Sequence, residues 1–146
     1  MKRKVLFPGS FDPFTLGHDD IVKRALGLFD EVVIAVGYNE QKTGWKPVEE
    51  RVASIKKVYA DEPRVRVESY TGLTVDFVKE KGATAIVRGV RTMADFEYEM
   101  QLADVNRQLT GIETILLPAS PQYASISSSI VRELAHFHHD ISTFLP

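Results

Sequence analysis

Residues 5–18 read Val5-Leu6-Phe7-Pro8-Gly9-Ser10-Phe11-Asp12-Pro13-Phe14-Thr15-Leu16-Gly17-His18. A short apolar run that is followed by Pro8-Gly9 and Asp12-Pro13 is typical of a buried parallel strand ending in a sharp loop. From Leu16 onward apolar residues recur at helical spacing, so a helix begins there and His18 lies in its first turn. The free N–H groups and positive dipole end of such a helix favour phosphate. The stretch therefore predicts a nucleotide site, and the alternative interpretation is a tight turn with a histidine that caps a helix.

The overall composition is that of an ordinary globular domain. The 146 residues, 44% hydrophobic and 26% charged, predict a single domain over residues 1–146. The sequence has no apolar run of membrane-spanning length and no signal-peptide core, so we expect a cytoplasmic protein with no membrane partner. The lack of cysteine excludes disulfides and thiolate metal sites. A net charge of −2 argues against nucleic acid as a partner, so an anionic ligand would need locally grouped cations.

Strand-like and helix-like segments alternate along the chain. Strands are predicted over residues 5–7, 31–37, 64–69, 85–87 and 114–117. Helices are predicted over residues 16–28, from 48 to about 59, from 72 to 82, over 95–109 and over 127–135. The continuous apolar run 32–36 is typical of a central strand, and the alternation over 64–69 is typical of an edge strand. The pattern predicts the α/β class, with one doubly wound sheet of five parallel strands.

Polar clusters follow four of the predicted strands. They are the Pro8–Pro13 loop, Lys42, the segment Arg88–Arg91 and the segment Ser125–Ser129. Ligands of such sheets bind beyond the carboxyl ends of the strands, where the strand order reverses. All four clusters should therefore meet at one edge of the sheet, which strengthens the prediction of a site there.

Three motifs resemble those of a known family. Two are similar to signatures of the nucleotidyltransferase superfamily: Gly9-Ser10-Phe11-Asp12-Pro13 with Thr15-Leu16-Gly17-His18, and Ile126-Ser127-Ser128-Ser129-Ile130-Val131-Arg132. The third resembles bacterial phosphopantetheine adenylyltransferase specifically: Arg88-Gly89-Val90-Arg91, then Asp95-Phe96-Glu97-Tyr98-Glu99-Met100-Gln101-Leu102-Ala103 and Asn106-Arg107. This chain departs from the usual pattern of that family in two ways. Members of this family usually continue past the position of Pro146 into another helix, and many have threonine where this chain has Ser10, which keeps the hydroxyl.

The resemblance implies a Rossmann-like nucleotidyltransferase fold, a homohexamer and a reaction. In that reaction AMP passes from ATP to 4′-phosphopantetheine, with Mg²⁺, to give dephospho-coenzyme A and pyrophosphate. The residue types fit this chemistry independently, because the attacking phosphate oxygen is already ionised and needs no side-chain nucleophile. The protein must only align two polyanions and neutralise the transition state, for which cations and N–H groups suffice. P-loop and dinucleotide-binding glycine patterns do not occur in the sequence, so those chemistries lose their usual support.

By the same resemblance, particular residues would bind each substrate. ATP would be bound by Ser10, Phe11, His18, Gly89, Val90, Arg91, Glu99, Tyr123, Ala124, Ser125, Ile126, Ser127, Ser128 and Ser129. Phosphopantetheine would be bound by Ser10, Lys42, Thr74 and Arg88, although relatives often carry an apolar residue in place of Thr74. His18 would stabilise the transition state, Lys42 and Arg91 would be catalytic cations, and no side chain is assigned as a metal ligand.

Other interpretations of these residues remain open at the level of sequence. Lys42 and Arg91 could be solvated surface charges, Glu99 an exposed helix residue and the serines a helix cap. His136, His138 and His139 suggest a metal site, but cysteine and an i, i+4 pair are both lacking. A sister nucleotidyltransferase for cytidine or nicotinamide nucleotides would share the first two motifs but should lack the third. A non-catalytic nucleotide sensor would bind ATP without releasing pyrophosphate.

Overall fold

The computed structural model describes residues 2–42 and 44–146. The strands are β1 (Lys4–Gly9), β2 (Glu31–Gly37), β3 (Val65–Tyr70), β4 (Ala85–Val90) and β5 (Glu113–Pro118). The helices are α1 (Leu16–Leu26), α2 (Val48–Val58), α3 (Thr74–Lys81), α4 (Met93–Thr110) and α5 (Ser128–His136). Two 3₁₀ turns span Pro121–Tyr123 and Ser142–Phe144. Within the described residues, none of the helices combines the length and the apolar character that crossing a membrane requires.

The five strands form one parallel sheet in the order β3-β2-β1-β4-β5. This confirms the predicted fold class, a single-domain, doubly wound, Rossmann-like sheet. The chain runs outward from β1 through β2 to β3, and then returns to the other side of β1 with β4. The strand order therefore reverses between β1 and β4, where a crevice opens at the carboxyl ends of both strands.

Each strand has the burial that its position in the sheet requires. In β2, which lies between two strands, Val32 to Val36 are all buried, as the continuous apolar run predicted. In β3, which lies at the edge, only Val67 is buried, and this confirms the prediction from alternation. Interior strands are covered on both faces, whereas an edge strand keeps solvent on one side and tolerates polar residues.

Helices cover both faces of the sheet. On the first face, Val5 and Phe7 of β1 pack in one cluster with residues of α1 and α2, including Val22 and Ile55. On the second face, residues such as Leu6 pack with α3 in a separate cluster. Helix α4, all of whose residues are described, buries only Glu99 and leaves most of its apolar side chains exposed.

The structure corrects several predicted boundaries. Arg88, Gly89 and Val90 lie within β4 rather than after it, because they pair with Leu116–Pro118 of β5 and extend both strands. Helix α3 begins at Thr74 rather than Gly72, since Gly72 has a φ of +92° that no α-helix accommodates. Helix α1 ends two residues earlier than predicted, and α4 begins at Met93, where Thr92 caps it.

Candidate active site

Two adjoining cavities open at the carboxyl end of the sheet, on either side of the point where the strand order reverses. The larger has a volume of about 600 Å³ and the smaller of about 350 Å³. They share one wall, formed by Pro8, Gly9, Ser10, Arg88 and Glu99. A reaction that joins two ligands needs this arrangement, because the reacting groups must meet where both sites touch.

The smaller cavity is formed by the first turn of α1, the end of β4 and the start of α5. Among the predicted ATP residues, those that line it are Ser10, Phe11, His18, Gly89, Arg91, Glu99, Tyr123, Ile126, Ser127, Ser128 and Ser129. Helices α1 and α5 both begin at this cavity, so their free N–H groups and positive dipole ends are available to an anion.

His18 is held in one orientation by Thr15, the residue that caps α1. The backbone N–H of Thr15 donates to His18 Nδ1 at 2.9 Å, and the Thr15 hydroxyl accepts from the backbone N–H of His18 at 3.4 Å. Because Nδ1 accepts a hydrogen bond, the proton of the neutral ring is on Nε2. The ring therefore offers the smaller cavity a hydrogen-bond donor.

The surroundings of His18 keep this ring neutral. Phe7, Phe11 and Phe14 pack around it, with ring centroids 6.2, 5.0 and 5.3 Å from that of the imidazole. Burial among these rings, followed by the positive charges of Arg88 and Arg91, lowers the pKa of His18 from 6.5 to about 3. At neutral pH the free protein thus presents an uncharged donor at this position.

The backbone of the loop after β1 is shaped by Phe11. This residue has a φ of +48°, which is rare for a residue with a side chain and places its ring over Gly9. A Cβ on Gly9 would lie 2.9 Å from Phe11 Cζ, which is closer than such atoms approach. Gly9 is therefore required for this packing.

Arg88 and Glu99 form the charged part of the shared wall. Arg88 Nε and Nη2 donate to the two carboxylate oxygens of Glu99 at 2.9 and 2.8 Å, and Nη1 donates to the Pro8 carbonyl. Of the five N–H groups of the guanidinium, one on each Nη remains for a ligand. Glu99 is buried, so the alternative interpretation of an exposed helix residue is wrong.

The start of α5 is tied to the loop after β1. Ser127 caps the helix by accepting from the Ile130 N–H at 3.1 Å, so the capping interpretation of the serines is correct for this residue. Ser128 Oγ donates to the Pro13 carbonyl at 2.8 Å, and Arg132 Nη1 donates to the Asp12 carbonyl at 2.8 Å. These bonds fix the mouth of the smaller cavity.

The larger cavity lies between α3 and α4, over the second face of the sheet. Its body is mainly apolar and includes Leu73, Val75, Ile86, Leu102 and Leu109. Its polar groups include those of the shared wall together with Tyr70, Thr74, Tyr98, Asn106 and Thr114. A long acceptor with a charged head and a mainly apolar arm fits such a lining.

Four of the predicted site residues, all within the described part of the chain, line neither cavity: Lys42, Val90, Ala124 and Ser125. Lys42 is exposed in the turn after β2, where its N–H donates to the Asn39 carbonyl at 3.0 Å. Val90 is in the sheet, and its carbonyl accepts from the Ala119 N–H at 2.8 Å. The ligand roles of these residues, like those of the residues that do line the cavities, stay predictions.

Sequence reasoning missed several residues that the structure brings to the cavities. Asp95 and Arg132 line the smaller cavity, and Tyr70 and Tyr98 line the larger. Arg132 lies one helical turn after Ser128, so the period of the helix places it on the same face. Tyr70 ends β3, and the sheet-edge rule that selected the other clusters applies equally to it.

Comparison with known proteins agrees with the fold and with the motifs. Residues 6–134 match the cytidylyltransferase-like family model. The phosphopantetheine adenylyltransferase of Phocaeicola vulgatus is 58% identical over 144 residues, covering 99% of this chain and 95% of that protein. The enzymes of the same name from Bacteroides fragilis and Streptomyces coelicolor are 55% and 46% identical, again over 99% of this chain and over 96% and 91% of theirs.

The chain belongs to the phosphopantetheine adenylyltransferase family. This membership confirms the resemblance of the Arg88–Arg107 segment and separates the chain from sister nucleotidyltransferases. The fold is shared more widely than the phosphopantetheine adenylyltransferase family. The crystal structure of a bifunctional NMN adenylyltransferase/ADP ribose pyrophosphatase from Francisella tularensis superposes with a TM-score of 0.72 at 15% identity, over 99% of this chain and 45% of that one.

Proposed function

We propose that the protein transfers AMP from ATP to 4′-phosphopantetheine and so makes dephospho-coenzyme A and pyrophosphate. The observation that carries the proposal is the shared wall, on which Ser10 and Arg88 face both cavities. ATP occupies the smaller cavity and phosphopantetheine the larger. A phosphate oxygen of the acceptor attacks the α-phosphorus. The bond from the α-phosphorus to the oxygen that bridges it to the β-phosphorus breaks, and pyrophosphate leaves.

In this proposal the chain contributes positioning and charge. His18 donates from Nε2 to an oxygen on the α-phosphorus, where negative charge increases in the transition state. Arg91 lines the smaller cavity and balances the nucleotide phosphates. The two remaining N–H groups of Arg88 bind the acceptor phosphate. Lys42 would have to approach from its exposed turn after β2, because the structure places it outside both cavities.

We propose Mg²⁺ as the cofactor, bound mainly through the nucleotide. Across residues 2–42 and 44–146, no group of three or more metal-ligating side chains is close enough to hold an ion. Magnesium commonly enters a site on substrate phosphates with few protein ligands, and Asp95 and the serine hydroxyls of the smaller cavity suit that mode. When bound, the ion neutralises charge on the phosphates.

We also propose that the protein assembles into a homohexamer in the cytoplasm, where ATP is supplied. Helix α4 supports self-association, because the following apolar side chains are exposed on a single chain: Met93, Phe96, Tyr98, Met100, Leu102, Val105 and Leu109. Exposed apolar side chains in this number on one helix mark an interface more often than free surface.

An assay of pyrophosphate release tests the proposed reaction. With ATP and Mg²⁺, we expect release only when 4′-phosphopantetheine is supplied, since the acceptor must fill the larger cavity. Cytidine triphosphate with a phosphosugar is the matched control pair, and equal turnover of that pair would contradict the proposal. ATP binding without any pyrophosphate release would instead identify a nucleotide sensor.

A further inference from the structure

Tyr70 is a fixed part of the wall of the larger cavity. It ends β3, and its ring stacks on Phe77 with centroids 4.9 Å apart and planes inclined by 14°. The ring also lies close to Gly37, where a Cβ would be 3.4 Å from Tyr70 Cε1. The phenol thus contacts a stacked ring and a close backbone, so its hydroxyl has a defined position.

The Tyr70 hydroxyl is paired with that of Thr74. The two oxygens are 2.8 Å apart, and both residues line the larger cavity. One hydroxyl donates to the other, which leaves the pair with one O–H and with free acceptor lone pairs. A secondary amide has the complementary set, one N–H donor and one carbonyl acceptor.

Around this pair the cavity is mainly apolar. Leu73, Val75, Ile86 and Leu102 line the same space, so the two hydroxyls are a polar point on an apolar wall. A ligand that covers such hydroxyls without hydrogen-bonding to them loses binding energy, because their contact with water is removed without replacement. The pair therefore favours an arm with polar groups over a plain hydrocarbon chain.

We infer that the Tyr70–Thr74 hydroxyl pair recognises a secondary amide in the arm of the acceptor, and that Tyr70 is a specificity-determining residue. The inference rests on the proposed function, in which the larger cavity holds phosphopantetheine. That acceptor has a phosphate at one end and two secondary amides along its arm. Its phosphate lies at Arg88 on the shared wall, and the arm then extends past Tyr70 into the body of the cavity.

The test uses Tyr70→Phe, which removes the hydroxyl but keeps the ring that stacks on Phe77. We expect KM and the calorimetric Kd for 4′-phosphopantetheine to rise about five- to tenfold, since one hydrogen bond to the amide is lost. KM for ATP should stay within twofold. Thr74→Val should have a similar effect, and the double variant should be little worse than either single variant, because the two hydroxyls act as one unit.

Two controls separate amide recognition from a general role in structure. Thr84→Val repeats the threonine-to-valine substitution of Thr74→Val at an exposed position just before β4, outside both cavities, and should leave KM for the acceptor unchanged. n-Octyl phosphate, which has a phosphate and an arm without amides, should inhibit Tyr70→Phe at least as strongly as the wild type, because its arm makes no hydrogen bond that the substitution could remove.

Each result bears on one claim only. An acceptor KM and Kd that stay within twofold of wild type in Tyr70→Phe would overturn the inference. A Ki for n-octyl phosphate that rises together with KM would also overturn it, because Tyr70 would then act through shape and not through the amide. Failure of the proposed function is recognised separately, since the wild type would then not turn over 4′-phosphopantetheine at all.

Discussion

His18 is the residue whose environment most directly indicates a chemical role. Its Nδ1 is occupied by the Thr15 N–H, and its pKa of about 3 leaves a neutral ring with the proton on Nε2. A neutral imidazole without a free lone pair is a poor base but a good donor. The residue therefore suits stabilisation of charge on a phosphoryl oxygen better than proton abstraction.

The first prediction at this scale concerns turnover. His18→Ala should lower kcat for pyrophosphate release by about 100- to 1,000-fold while KM for ATP changes far less, since the lost donor acts mainly in the transition state. His136→Ala is the matched control, because His136 is exposed and lines neither cavity. A folded His18→Ala protein that retains more than about a tenth of wild-type kcat would remove His18 from the mechanism.

The second prediction for His18 concerns how the free energy of unfolding depends on pH. The folded-state pKa of His18 lies below the unfolded value of 6.5, so the unfolded chain binds a proton that the folded chain does not. His18 therefore destabilises the fold progressively as pH falls from 6.5 toward 3. The free energy of unfolding of wild type relative to His18→Gln should decline by about 1 kcal/mol per pH unit between pH 6 and 5. Urea unfolding at several pH values measures this difference, and parallel curves for the two proteins would contradict the assignment.

At the scale of elements, α2 positions the loops around the site through Arg51. This buried side chain donates from Nη1 to the carbonyls of Ser10 and Gly37 at 2.7 and 3.1 Å, and from Nε to the carbonyl of Lys46 at 3.0 Å. It thereby joins the loop after β1, the end of β2 and the loop that carries Lys42. Asp12 adds a second tie by accepting from two N–H groups of the same loop.

Loss of this tie should affect both stability and activity. Arg51→Met should lower the free energy of unfolding by about 2–4 kcal/mol, because three carbonyls lose a partner inside the protein, and it should lower kcat/KM. Arg64→Met is the matched control at an exposed ion pair, where the change should stay within about 0.5 kcal/mol. Equal effects of the two substitutions in chemical denaturation would show that Arg51 is not a structural tie.

The elements were more predictable from the sequence than the contacts between them. The bounds of β2 were predicted as observed, because a continuous apolar run between breakers has few alternatives. The burial of Glu99 was not predictable in this way, since it depends on how α4 crosses back over β4 to meet Arg88. The inward position of Arg51 is predictable from the sequence, because helical spacing places it with Val48, Val52 and Ile55 on the inward face of α2.

At the scale of the whole molecule, α4 is the element that a single chain leaves incomplete. Its apolar residues form two stripes at helical spacing, one that includes Phe96 and Met100 and another that includes Leu102, Val105 and Leu109. The second stripe includes residues that also line the larger cavity. Assembly through α4 would thus lie directly beside the proposed acceptor site.

The prediction at this scale concerns mass in solution. The wild type should form a species of about six chains, and Met100→Glu combined with Val105→Glu should give smaller species, because charge would be buried in the interface. Light scattering measures both proteins. Leu28→Glu is the matched control, since Leu28 is 60% exposed and lies outside α4. A wild type that is monomeric at micromolar concentration would rule out the hexamer.

The pairing of Arg88 with Glu99 and the Pro8 carbonyl has a consequence for the entropy of binding. A free arginine side chain has about 2 kcal/mol of rotamer entropy, which a ligand must suppress when it orders that side chain. In this protein three N–H groups of Arg88 are already held by the fold. That ordering cost is met when the chain folds, so an arriving phosphate encounters two N–H donors that are already in place.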